Sequence, residues 1–421
     1  MALPKPNLIH GLFIFALFHA VMPVLNHFGL LSIPGVPLGA KVIPVAPLQA
    51  SMSGIIVIAL LHKFPFGASA PPLSATVKIS ILGFVFAFFW GALFNALWPE
   101  WALARLLMRV APILGAGALL YVLNRTPART GYWIVLAIIL QPLIHLPTLV
   151  HALVTSGGDA AVNWNKGPAG YPNVRQWGML VATGFVMVLG GLGAWMSPSR
   201  LVKLSGGICL TVLAGLLFFS GTRAGVIGVF LGVAGVWLLR PNGIGRTIWL
   251  ASVALTAGLL LSLWFEPPSP NYGLFNSMTR WTEGVDGRDV TSGRLTLWIV
   301  GAQMVLDYPL FGHGLDQLIL FNPPEFKQHH LHNTPLQLLF DFGLVGGIAV
   351  MLLLATVWRR AIVAGRDAHD PAKAAALGGL LTLVAMCPFE DILYHTDLLA
   401  TTMLLTAVLL SRPLASPSAK R

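Results

Sequence analysis

Charge and cysteine are what this chain has least of. Lys, Arg, Asp and Glu make up only 10% of its 421 residues, whereas soluble domains carry about 25%. So little ionic surface excludes an ordinary water-soluble domain. The two cysteines, Cys209 and Cys387, both fall in apolar stretches, so a structural disulfide framework is not expected. No Gly-x-x-x-x-Gly-Lys run exists to cradle a nucleotide's phosphates. The dyad alternation of a transmembrane barrel is missing as well. Neither a matching acidic set nor cysteine spacing accompanies the histidines, so neither a metal nor another cofactor is expected.

What the chain does have is apolar length. It is 56% hydrophobic with a mean hydropathy of +0.77, and its apolar stretches recur at lengths that cross a bilayer as helix. The reading is an all-α polytopic membrane protein of about twelve transmembrane helices. The first six are expected near 9–32, 42–61, 77–97, 103–123, 132–153 and 177–196. The other six are expected near 201–219, 223–239, 246–265, 335–358, 373–389 and 397–411. The second span is interrupted by Pro44 and Pro47, and the eleventh ends at Pro388. Neither a cleavable signal peptide nor an appended soluble domain is expected, so 1–421 reads as a single transmembrane domain.

Cations in alternate short loops set the orientation. Arg125 and Arg129, Arg200 and Lys203, Arg240 and Arg246, then Arg359, Arg360, Arg366 and Lys373, mark cytoplasmic loops, as does the tail with Arg412, Lys420 and Arg421. The net charge of +11 is largely this topology signal, and nucleic acid is not implied. One extracytoplasmic loop, 266–334, then dwarfs the rest, with a shorter one near 154–175. Within the long loop, Leu295, Trp298, Ile299, Ala302, Val305 and Leu306 recur at helical spacing until Asp307-Tyr308-Pro309. That predicts an amphipathic helix lying on the membrane or against the bundle.

The candidate chemistry gathers on that face. His332 follows His329, His330 and Leu331 at the mouth of the tenth span, and an imidazole there can accept a proton near neutral pH. His332 fits a general base, with His330 or Asn333 assisting its orientation. His313 is a further histidine that could join a metal set. Arg223, in the tight turn Gly221-Thr222-Arg223, breaks the positive-inside bias; it reads as an anion ligand or as a snorkelling cap. Arg294 opens the amphipathic helix, where backbone N–H groups also favour anions, and Arg280 and Arg288 share its loop. Arg105 and Arg109 lie one turn apart on the fourth span, Arg109 either functional or snorkelling. Glu390, Asp391, His395 and Asp397 cluster before the last span, and one of them could orient His332 or pair with an arginine. Gly190-Gly191 and Gly346-Gly347 read as close helix packing.

These residues resemble the bacterial O-antigen ligases, which share a core with O-antigen polymerases and some protein oligosaccharyltransferases. The ligase signature is His, Asn/Ser/Gln, nine residues, then Gly-x-x-Gly; here it runs from His332-Asn333 to Gly343-Leu344-Val345-Gly346. Ser292-Gly293-Arg294-Leu295-Thr296-Leu297-Trp298, continuing to Tyr308-Pro309-Leu310-Phe311-Gly312-His313-Gly314, is similar to a second block. Gly221-Thr222-Arg223-Ala224-Gly225 is similar to a third. Gly347-Ile348 stands where some ligases continue with threonines, and the family's acidic residue has several candidates here.

The resemblance implies a metal-independent, inverting glycosyltransferase of the bacterial inner membrane, working on its periplasmic side. The glycan would move from undecaprenyl diphosphate to a sugar hydroxyl of lipid A–core oligosaccharide, in lipopolysaccharide biosynthesis. His332 would be the base, and Arg223 and Arg294 would hold the diphosphate. Asn333, His330, Arg288, Arg109 and Asp391 are the further substrate-binding candidates. No nucleotide is implied. O-antigen polymerase and protein O-oligosaccharyltransferase are the rival activities of the same superfamily, and a polysaccharide transporter or flippase is the rival from another class. Transporter sites sit near the midplane, whereas the polar candidates here gather on one face.

Overall fold

A computed structural model of the chain describes residues 74–126, 129–144, 146, 173–194, 199–240, 244–264, 272–277, 293–321, 329–368 and 370–412. Among these residues there are helices and no strands. The first helices are α1 (Ala75–Trp90, continued by a π-helical turn Gly91–Asn95), α2 (Pro99–Leu123) and α3 (Arg129–Leu143). Next come α4 (Val174–Ala194), α5 (Arg200–Ser220), α6 (Arg223–Leu239) and α7 (Ile244–Leu263). The last five are α8 (Arg294–Asp307), the short α9 (Leu318–Phe321), α10 (Thr334–Arg366), α11 (Pro371–Met386) and α12 (Thr396–Leu410).

Six helices are long and apolar enough to cross a membrane: Ala75–Asn95, Pro99–Leu123, Val174–Leu192, Arg200–Ser220, Gly245–Leu263 and Thr334–Arg366. Four shorter apolar helices, Thr130–Leu143, Arg223–Leu239, Pro371–Met386 and Thr396–Leu410, fall on other expected spans. The expected spans 9–32 and 42–61 lie outside the described residues.

Burial separates the centre of the bundle from its rim. In the apolar window of Val174–Leu192, 83% of residues are buried, compared with 17% for Gly245–Leu263, so α4 is a core helix and α7 faces outward. α4 packs on α11 through small residues, as membrane helices do when close van der Waals contact drives association. A Cβ on Gly190 would stand 2.8 Å from the Ala374 carbonyl oxygen, and one on Gly378 2.8 Å from that of Val186. The packing role expected for Gly190-Gly191 and Gly346-Gly347 is borne out: a Cβ on Gly346 would meet Ala87 at 2.6 Å.

The cationic loops gather at one end of the bundle. Lys373 Nζ donates to the Ser411 carbonyl at 2.6 Å, Arg240 reaches the Ala368 carbonyl, and the Arg412 N–H donates to Asn124 Oδ1 at 2.6 Å. The histidines and the 388–395 turn lie at the other end.

Three expectations are refined. The tenth span is not one straight helix: Gly343 has φ 63°, ψ −168° and breaks α10. Segment 308–314 is strapped across the break. The His313 and Gly314 N–H groups donate to Phe340 and Asp341 carbonyls at 2.9 and 3.0 Å, and those of Leu344 and Val345 donate to Pro309 and Leu310 at 2.8 and 3.1 Å. Backbone groups orphaned by the break are thereby satisfied, which an apolar surrounding requires. A second refinement concerns α8, which ends at Asp307 as expected and buries Leu297, Gly301, Met304 and Val305. Most of the apolar stripe read from the sequence, including Leu295, Ile299 and Leu306, is exposed instead. Both faces of this helix are apolar, and periodicity could not tell which one meets protein. Thirdly, Arg223 stands where the turn meets the next span: Gly221 (φ 64°) caps α5, and Arg223 is the first residue of α6, whose bounds match the expected 223–239.

Candidate active site

The site is assembled where the loop before α10 meets the turn between α11 and α12. Leu331, fully buried, anchors that loop. Its carbonyl accepts from Trp298 Nε1 at 2.9 Å, and its N–H donates to Gln337 Oε1 at 2.8 Å. Its side chain lies over Gly301 of α8, where a Cβ would come within 2.6 Å. Asn333 caps α10, its side-chain oxygen accepting from the Leu336 N–H at 2.9 Å, the usual Asn role at a helix start. Its amide donates to the Pro388 carbonyl at 3.0 Å, and its N–H to Asp391 Oδ1 at 3.0 Å. Thr334 completes the staple through Cys387 O (2.8 Å) and Glu390 O (2.7 Å).

Between two such anchors His332 is held at φ 50°, in the left-handed region that costs a non-glycine residue of order 1–3 kcal/mol and clusters at functional sites. Its Nδ1 lies 3.1 Å from Glu390 Oε2 and 3.4 Å from Asp391 Oδ2. Glu390 also forms an ion pair with Arg294, whose other nitrogen donates to the Phe389 carbonyl at 2.9 Å. Arg294, Glu390 and His332 therefore form a chain of contacts, with Asp391 beneath.

The electrostatics follow from burial and these partners. Burial opposes a charged His332, but the hydrogen bond to Glu390 and the charges of Glu390 and Asp391 outweigh it, raising its pKa above the ordinary histidine value. Burial pushes Glu390 up, yet the His332 hydrogen bond and the Arg294 charge bring it down to about 2, with Arg175 of α4 also contributing. Asp391 is raised to about 7, by burial first and by Glu390's charge, against the pull of His332.

Other cations converge on this end. α6 and α11 run antiparallel, a Cβ on Gly228 meeting Met386 at 2.7 Å. This brings Arg223, five residues earlier, towards the level of Pro388–Asp391. Arg175, one residue from Gln176, opens α4; Gln176 contacts His395 Nδ1. Arg175 is the site cation that the sequence did not single out; a lone arginine beside a loop carries no pattern of its own.

The remaining candidates fall elsewhere. Arg109 does not snorkel. It pairs with Asp316 at 3.3 Å, donates to the Leu393 carbonyl at 2.9 Å and lies over the Tyr394 ring at 4.2 Å. Arg105 pairs with the same carboxylate, and His330 Nδ1 stands 3.5 Å from its other oxygen. His330 is driven down to about 3, chiefly by burial, so it is neutral. His313 does not join the other histidines: it is buried, stacked on Phe340 at 4.3 Å, with Nε2 bonded to the Met304 carbonyl at 2.7 Å. Asn333's amide is engaged in the scaffold. Arg280 and Arg288 lie outside the described residues. Among the described residues no group of three or more His, Cys, Asp or Glu is arranged to hold a metal ion.

Several apolar helices long enough to cross a bilayer, with a histidine–carboxylate–arginine cluster at one end, mark the class as a multi-pass membrane protein. Residues 207–351 match the family model described as O-Antigen ligase, so that stretch of the chain is similar to this family. The family is one of glycosyltransferase-like membrane enzymes. The matched segment holds Arg223, Arg294, His332 and both motif glycines; Glu390 and Asp391 lie beyond it. A comparison with curated proteins finds no match.

Proposed function

We propose that this protein is an O-antigen ligase of the bacterial inner membrane, acting on the periplasmic side, with the donor and acceptor that the resemblance implies. The observation that carries the reading is the Arg294–Glu390–His332 chain, a base candidate and a cation fixed by one carboxylate. With Nδ1–H directed at Glu390, neutral His332 keeps Nε2 as its acceptor. The acceptor sugar's hydroxyl oxygen attacks the anomeric carbon of the glycan as Nε2 takes the hydroxyl proton. The bond from that carbon to the diphosphate oxygen breaks with its electron pair. Undecaprenyl diphosphate leaves as an anion, and a single displacement inverts the anomeric centre. Arg223 and Arg294, with Arg175 added, stabilise the charge that develops on the leaving group, their planar forks suited to phosphate oxygens. This charge supply makes a divalent ion unnecessary, so EDTA should leave the rate unchanged.

The test is transfer by purified protein from an undecaprenyl-diphosphate glycan to lipid A–core. His332→Ala should lose about 10²–10⁴-fold in rate, the usual worth of a general base, while the donor persists. Arg223→Ala and Arg294→Ala should weaken donor saturation. Normal ligation by His332→Ala would refute the base, and transfer only onto a second lipid-linked glycan would make the protein a polymerase.

A further inference from the structure

A second polar centre lies on the opposite flank of the 388–395 turn from Arg294. Arg294 grips that turn at Phe389 and Glu390, whereas Arg109 grips it at Leu393. Around Asp316, itself at φ 63°, stand Arg105, Arg109 and His330. Burial opposes ionisation of Asp316, but the charges of Arg109 and Arg105 overcome this and hold its pKa low. Two guanidinium groups therefore face one carboxylate and a neutral imidazole, an excess of one positive charge.

The Asp316 oxygens are taken up by Arg105, Arg109 and His330, whereas Arg109 Nε is buried without a hydrogen bond. An unsatisfied buried donor costs about 1–3 kcal/mol, so this donor and the excess charge suit a further anionic group.

Arg109 also lines an apolar cleft of about 400 Å³ between α2, α10 and α12. The cleft runs from Leu106 to Leu120 on α2 and from Leu338 to Trp358 on α10. At 1.5 Å per residue that is about 21 and 30 Å, against roughly 15 Å for half a bilayer's hydrocarbon. An acyl chain fits lengthwise.

Transfer between two lipid-linked sugars needs two lipids bound at once. The diphosphate lipid takes the Arg175/Arg223/Arg294 flank in the proposed function. We propose that the α2–α10–α12 cleft is the site of the acceptor lipid, an acyl chain lying in it and a phosphate of its head held at Arg105 and Arg109. This assignment rests on the ligase reading. It puts the acceptor's head beside His330, two residues from the base.

The experiment has a binding arm and a kinetic arm. For binding, lipid A with a photoreactive acyl chain is cross-linked to the full-length protein in phosphatidylcholine nanodiscs. Expected labels fall on Val110, Val350 and Met403, and excess undecaprenyl phosphate does not reduce them. Labels elsewhere, or loss of label to undecaprenyl phosphate, overturn the proposal. For kinetics, Gly117 lines the cleft and an added Cβ there meets open space, so Gly117→Trp plugs it. Its KM for lipid A–core should rise about tenfold with KM for the donor unmoved. Gly207→Trp, also open but on α5, is the control and should match the parent. A rise in donor KM alone, or no change in either, overturns the proposal. If the protein transfers nothing onto lipid A–core, the ligase reading fails, and cross-linking still decides whether the cleft takes an acylated phospholipid.

Discussion

Glu390→Gln is the sharpest test of how the site works, because it removes one charge and preserves shape. Glu390 is buried, accepts from His332 Nδ1 and pairs with Arg294. The glutamine keeps the backbone carbonyl that Thr334 Oγ1 uses, and Arg294 keeps its bond to Phe389, so the turn should survive. What is lost is a hydrogen bond to a charged group, about 1.5–3 kcal/mol. At 1.36 kcal/mol per factor of ten, the plateau kcat should fall roughly 10- to 150-fold. A second readout separates positioning from damage. His332 must be neutral to act as a base, so its raised pKa puts the acidic limb of the rate profile above the ordinary histidine value. Without the Glu390 charge and hydrogen bond only Asp391 is left to oppose burial and Arg294, so the imidazole gives up its proton more readily and the limb moves to lower pH. Turnover of a lipid-linked glycan measured from pH 5 to 9 reads both effects. A plateau within twofold of the parent, or a limb that stays put or moves to higher pH, would refute the reasoning.

Three further substitutions test the scaffold. Gly343→Ala forces a side chain onto φ 63° and into the Leu310 carbonyl; strain alone is worth about 1–3 kcal/mol, so Tm in detergent should fall, and an unchanged Tm contradicts the strap. Trp298→Phe deletes the donor to the Leu331 carbonyl, a net loss of about 1 kcal/mol; kcat should drop a few-fold with little change in KM, and an unaltered kcat would show that α8 does not hold the base. Asn333→Ala removes both the cap and the bond to Pro388, costing about 0.5–2 kcal/mol for the cap alone. Restoring the cap with Asn333→Asp should recover stability more than activity in a thermal-shift and turnover comparison.

Much of this was legible in the sequence because hydropathy is a local property. The helical class and the positions of the α1 to α7 and α10 to α12 stretches follow from runs of apolar residues. The gathering of Arg223, Arg294 and His332 at one end follows from loop alternation. Geometry across chain-distant segments was not legible. Glu390 and Asp391 sit 58 positions from their partners His332 and Asn333, and four polar residues in one short turn gave no basis for choosing between them. Likewise Arg109 reads as a lone intramembrane charge until Asp316, on another segment, is brought to it. The contacts of Asn333 and His313 were not legible for a related reason: residue type shows what a side chain can bond to, whereas the fold decides which bonds are already taken.

The break at Gly343 turns the motif's spacing into a matter of phase. One end of the short helix Thr334–Phe342 is pinned at Cys387 through Thr334, and the other is clamped by segment 308–314 at Phe340 and Asp341. Each residue of helix turns the chain by about 100°. One residue added or removed between the clamps would swing His332 about a quarter-turn out of register with Glu390, whatever its identity. The nine positions between Asn333 and Gly343 thus serve as a fixed angular setting for the imidazole, which explains why their number can matter more than their composition.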